Sequence, residues 1–147
     1  MNNNRKVLCY TFRTYPHISS LGGIFDDVVI LGAIKRDLKV VFDRLPDYNK
    51  VVGVARTNTY SRSEPVAINQ FNKGKINRNG AEDLALSLDW SFPAAKRPTK
   101  TFCNYAAYMV QQYIESSGLS IKHSFVHIND RDLSKLDYSH IVTTAAE

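Results

Sequence analysis

The chain has 147 residues, enough for a single domain (1–147) with a core of its own. At 44% hydrophobic and 22% charged residues its composition is that of an ordinary globular protein, and two cysteines exclude a disulfide framework. The net charge of +5 is scattered, with small clusters at Lys73, Lys75 and Arg78 and at Lys96, Arg97 and Lys100, so solvated loops are expected there and nucleic acid is not an expected partner. No apolar run is long enough to cross a bilayer, and MNNNRKVLCYTF carries no long apolar stretch. Neither a membrane nor a secretory signal is therefore expected. A reducing cytoplasmic setting is the expectation, and it suits a working thiol.

Residues 5–12, RKVLCYTF, read as a first strand, with Cys9 facing the core as an inert residue. Pro16, Ser19, Ser20, Gly22 and Gly23 mark residues 16–25 as a loop, with His17 exposed in it. Residues 26–45 read as a helix with Val28, Leu31, Ile34, Leu38, Val41, Phe42 and Leu45 along one face. The β-branched run Val28–Ile30 leaves a second reading open: a short strand, then a helix from near Gly32. Pro46 ends the segment. KVVGVA at 50–55 reads as a buried strand, completing a β–α–β unit with the parallel pairing such units imply. The polar stretch RTNTYSRS follows, and then 64–72, EPVAINQFN, reads as a strand. Residues 73–100 are the least regular, with turn chemistry in NKGKINRNG and a short apolar run around Trp90.

From 101 a helix is expected, its apolar side carried by Tyr105, Tyr108, Met109, Gln112 and Tyr113, and Gly118 is a plausible C-cap. Ile121, Phe125, Val126 and Ile128 suit a mostly buried strand. Polar residues follow, with Asp130 able to cap a short helix and His140 structural or exposed. Strands alternating with helices make an α/β fold.

Cys103 lies in the first turn of its helix, near unpaired N–H groups and the positive dipole end, which favour the nucleophilic thiolate. His127 ends the next strand, which runs back toward the helix start, so the two can meet. Taken alone, such a cysteine is more often a small core residue, a glutamate opening a strand is more often an exposed charge, and Phe12 and Tyr15 could be plain strand-end packing. His123 and His127 share a strand face without the spacing of a chelating pair, so no metal is expected.

TFCNYAAY followed by SFVHI resembles the Cys and His motifs of pyroglutamyl peptidase I (pyrrolidone-carboxylate peptidase), a family of cysteine peptidases. SEPVAINQFNKGKINRNG resembles the same family's Glu-x-Val-Ala-Ile-Asn segment. The order Glu64, Cys103, His127 and the 24-residue step between the last two also fit. The resemblance implies a three-layer α/β/α sandwich around a mostly parallel, twisted sheet. It implies a thiol protease without cofactor that removes an N-terminal pyroglutamyl residue through a Cys–His–Glu triad and a thioester. Glu64 would orient His127, and Asn69 matches a family asparagine. Phe12 and Tyr15 take the places of the pair that clamps the pyroglutamyl ring, with Phe102 a further substrate contact, and Lys75 would lend electrostatic support. The chain departs from the family where Thr11 to His17 replace Gly-Phe-Asp-Pro-Phe-Gly-Gly, and it takes only 39 residues from Glu64 to Cys103. The substrate is then a pyroglutamyl peptide or another small cyclic amide or blocked peptide. The shortening either opens the site or leaves a gap for a partner chain, as in a homo-oligomer. An eroded relative that kept the fold and acts as a binding or interaction protein is the alternative from another class.

Overall fold

The computed structural model describes residues 7–32, 34–64, 66–68, 75–77 and 102–135. Asn69, the run around Trp90, His140 and the cluster at Lys96, Arg97 and Lys100 lie outside the described residues.

Strands β1 (Val7–Phe12), β2 (Asp27–Leu31), β3 (Lys50–Arg56) and β7 (Lys122–Ile128) form a parallel sheet in the order β2-β1-β3-β7. A two-residue strand, β4 (Arg62–Ser63), adds to the outer side of β7 in the antiparallel sense. Strands β5 (Val66–Ile68) and β6 (Lys75–Asn77) make a separate antiparallel pair. Among the described residues the α-helices are α1 (Ile18–Gly22), α2 (Ile34–Arg44) and α3 (Phe102–Ser116). This is an α/β/α sandwich around a mostly parallel sheet.

Alternation along the strands builds two cores. Leu8, Tyr10, Phe12, Val51, Ala55 and Phe125 point to the layer of α2 and α3, where Leu38, Val41, Leu45, Ala106, Ala107, Val110 and Ile114 meet them. Val7, Cys9, Val52, Val54, Val126 and Ile128 point the other way, toward Leu21, Phe25 and Tyr15 around α1. Each fully buried aliphatic or aromatic side chain contributes about 1.5–3 kcal/mol, so both layers are needed to hold a sheet covered on two faces. Gly53 serves the first layer. A Cβ there would lie 2.4 Å from the Tyr10 ring and 2.5 Å from that of Phe125, so its absence lets two aromatic rings close over β3.

Four expectations change. Residues 26–45 are not one helix: β2 takes Asp27–Leu31 and α2 begins at Ile34, the second reading of that segment. The β-branched run prefers a pleated, buried setting, and helical spacing there was coincidental. The 16–25 segment contains a short helix, held by buried Leu21. The strand expected over 64–72 is described only as Val66–Ile68, and β6 pairs with it. The buried face of α3 is also rotated from the expected one. It consists of Asn104, Ala106, Ala107, Tyr108, Val110, Gln111 and Ile114, while Gln112 is exposed. Small alanines let the helix approach the sheet, and the bulkier Tyr113 moves to the flank, where it stacks on Phe42 with centroids 4.3 Å apart. Gly118 does leave the helix in the left-handed region, at φ 70°.

Candidate active site

The site is set by two lengths. From the turn at Gly118, α3 runs back for 15 residues, about 22 Å, and β7 runs for seven, about 23 Å. The start of the helix and the end of the strand therefore come level, at the carboxyl ends of the parallel strands. That is the end at which open α/β sheets bind ligands. Cys103 is partly buried in the first turn of α3 and packs against the core between α3 and the sheet. His127 lies on that same face of β7, two residues beyond Phe125, with its ring edge-on to the Phe125 ring at 5.2 Å.

Glu64 follows β4. Its backbone N–H donates to the Phe125 carbonyl at 2.9 Å, which extends the β4–β7 pairing by one bond and turns the carboxylate inward. The side chain is 0% exposed, and Oε2 lies 2.8 Å from Nδ1 of His127, itself 5% exposed. An ionised carboxylate only accepts, so Nδ1 carries the proton and donates. The other ring nitrogen, Nε2, is then the basic one in the neutral imidazole. A second donor reaches the same oxygen: Nε of Arg62, at 3.1 Å. A buried carboxylate is costly unless paired, and Arg62 and His127 together supply the pairing.

The structure does not bring all the residues named from the sequence together. Phe12 lies on the α2–α3 face, tilted against Phe125 with centroids 6.3 Å apart. Tyr15 does not join it. It is 3% exposed and packs in the opposite layer with Cys9 and Val126, so the two rings cannot clamp a ligand between them. The reason lies in the turn: Tyr15 N–H bonds back to the Phe12 carbonyl at 2.8 Å, which throws its side chain across to the α1 side. Its hydroxyl is buried without a hydrogen-bond partner, and burial pushes its pKa up to about 12. Phe102 is 56% exposed at the first position of α3. Lys75 opens β6, and its side chain lies outside what is described, though the β5–β6 pair packs against α3. His17 is not a free loop residue, since its Nε2 lies 3.4 Å from Oδ1 of Asp130.

Two features escaped the sequence. Arg62 was one residue of a polar run. The other is a chain of side-chain hydrogen bonds further back along the same face of β7, ending at exposed Glu115. Gln111 Nε2 donates to Glu115 at 2.9 Å, which leaves Gln111 Oε1 to accept from Nδ1 of His123 at 3.1 Å. In the neutral ring Nε2 then accepts from the Tyr10 hydroxyl at 2.7 Å. The chain ties β1, β7 and α3 together. No group of three or more potential metal-ligating residues occurs among the described residues, and no described helix is long and apolar enough to cross a membrane.

No protein-family model matches the chain, and no curated protein matches it. Solved structures do. Pyrrolidone carboxyl peptidase from Thermococcus litoralis superposes with a TM-score of 0.70 at 11% identity, over 95% of this chain and 92% of that one. The pyrrolidone carboxyl peptidase of the hyperthermophile Pyrococcus furiosus superposes with a TM-score of 0.65 at 14% identity, over 96% of each chain. At such identities the likeness is one of architecture, and this chain has the fold of the pyrrolidone carboxyl peptidases.

Proposed function

We propose that the chain is a cysteine peptidase that removes an N-terminal pyroglutamyl residue, or a related cyclic or blocked residue, from peptides. The observation that carries the reading is the buried carboxylate–imidazole pair, Glu64 to His127, at the end of the sheet to which the first turn of α3 returns. A carboxylate on one imidazole nitrogen fixes the tautomer that a general base needs. The shared fold with pyrrolidone carboxyl peptidases supports the same reading.

In this mechanism His127 Nε2 takes the Cys103 proton as the sulfur attacks the substrate carbonyl. Backbone N–H groups around Phe102 and Cys103 are the natural donors to the oxyanion, and such donors are worth roughly 3 kcal/mol each in comparable enzymes. The proton passes from His127 to the leaving amine as the C–N bond breaks, and water then hydrolyses the thioester. Phe12 and exposed Phe102 are the proposed substrate contacts, with Lys75 as electrostatic support. Tyr15, turned to the other layer, is withdrawn from that role, and its loss favours a substrate that departs from plain pyroglutamyl. A cytoplasmic setting would keep Cys103 reduced.

Release of the fluorophore from a pyroglutamyl-arylamide is the direct test. Cys103→Ser is expected to lower turnover by at least about 10³-fold. Iodoacetamide should label Cys103 and spare Cys9, which is fully buried and whose thiol burial holds well above its ordinary pKa. Absence of turnover in the wild type together with equal labelling of both thiols would remove the reading.

A further inference from the structure

Arg62 and His127 stand directly opposite each other in the β4–β7 pairing, and both donate to one oxygen, Oε2 of Glu64. The guanidinium is held firmly in that position. Its Nη1 donates to Thr57 Oγ1 at 3.3 Å, Thr59 Oγ1 at 3.1 Å and the Tyr60 carbonyl at 3.2 Å, and the Tyr60 ring lies 5.4 Å from its centre. These partners are neutral. Glu64 is the one carboxylate that Arg62 touches among the described residues. Residues 57–60 thus form a loop whose polar groups aim a permanent cation at the carboxylate behind His127. Arg stays charged at any working pH, so its effect on Glu64 is constant.

We propose that Arg62 is a positioning residue for His127, acting through Glu64: it fixes the carboxylate on the imidazole and offsets its charge, so that His127 serves as a base toward a neutral thiol. A carboxylate shared with a guanidinium draws less on an imidazolium than one that faces the imidazole alone. The proposal rests on the peptidase reading for its catalytic meaning, whereas the coupling of Arg62 to His127 stands on geometry. It also chooses between two forms of the thiol step. Without Arg62, a standing thiolate–imidazolium pair would be favoured. With it, the sulfur–hydrogen bond breaks as the sulfur–carbon bond forms, the proton goes to Nε2, and the carbonyl electron pair moves to oxygen.

The other titratable groups on the elements packed around His127 are few. On β3, Arg56 is paired with Asp130 at 3.1–3.2 Å, and Lys50 lies at the far end. On β7 itself, His123 is bonded to Tyr10 and Gln111, and Lys122 is exposed at the far end of the strand. On α3 the groups are Cys103, Tyr105, Tyr108, Tyr113 and Glu115. None of these shares the Glu64 oxygen in any of the contacts described above.

The test is an NMR pH titration of the His127 ring, assigned by comparison with His127→Gln, in wild type and in Arg62→Gln. The midpoint in Arg62→Gln is expected about one pH unit or more above that of the wild type, with Arg62→Lys in between. The pH dependence of Cys103 alkylation should shift the opposite way, toward lower pH, because a standing imidazolium favours the thiolate. A midpoint that stays put or falls in folded Arg62→Gln overturns the proposal. If Arg62→Gln does not fold, the double variant Thr57→Val, Thr59→Val frees the guanidinium from two of its acceptors. A smaller upward shift is expected there, and no shift overturns the proposal equally. The measurement needs no turnover. An inactive wild type with equal labelling of both thiols, whose variant midpoint still moves, keeps the coupling and removes the peptidase reading. An active enzyme whose midpoint does not move does the reverse.

Discussion

His123 and His127 lie four residues apart on one face of β7, and their partners separate them. His127 meets a carboxylate, whereas His123 meets a tyrosine hydroxyl and an amide, both neutral. Only the first arrangement stabilises a proton gained during a reaction. Glu64→Gln keeps the shape and removes the charge, and an amide can offer either its oxygen or its NH₂ to the ring. Turnover is expected to fall about 10²- to 10⁴-fold while the circular dichroism spectrum is retained. At this scale the pairing of Glu64 with His127 was legible because each lay in a short motif and in a fixed order, and Cys103 joins them only as a proposal. Arg62 was not, since a threonine- and serine-rich run does not reveal which cation will face a carboxylate two residues on. Tyr15 was misplaced because one backbone bond to Phe12 decides which side of the sheet its ring takes.

The contact between α3 and the sheet has a polar centre. Gln111 is fully buried and links His123 to Glu115. Gln111→Leu fills the space but strips the imidazole of that acceptor, and a loss of about 1–3 kcal/mol is expected in urea unfolding. Leucine at exposed Gln112 should change stability by no more than about 0.5 kcal/mol. The contrast between these neighbours is what sequence periodicity could not supply. Tyr105, Met109 and Gln112 have the right spacing for an apolar side, yet alanines at 106 and 107 determine which side can come close to a sheet. The split of 26–45 into β2 and α2 has a similar origin. Leu38, Val41 and Leu45 do form a buried helical stripe, and the error was to extend its period backward through residues that fold as a strand.

Both layers of the molecule carry groups that respond to alkali. On the α1 side, Cys9 and Tyr15 are both held protonated by burial, Cys9 well above its ordinary value and Tyr15 up to about 12. Tyr48 is also raised to about 12, by burial first and then by its bond to Asp27. A raised folded pKa means that the folded state keeps its proton where the unfolded chain has lost it, so stability falls as pH climbs. For Tyr15 the window runs from about 10 to about 12, and for Cys9 it opens near 9. Urea midpoints should therefore fall above about pH 9. Tyr15→Phe should flatten the part between pH 10 and 12, and it should cost nothing at neutral pH because it deletes a hydroxyl that has no partner.

The sheet's outer boundary has another consequence. Among the described residues, the strand that carries Arg62 and leads into Glu64 is two residues long and pairs with β7 alone. Short margins fray at a free-energy cost well below that of global unfolding. Competence should then vanish in mild urea or on gentle warming while the central strands still resist hydrogen exchange. Amides of residues 62–64 would exchange early, in step with loss of turnover, and those of β1 and β3 late. A protein built this way can be silenced by loosening one hem of its fabric, without unfolding.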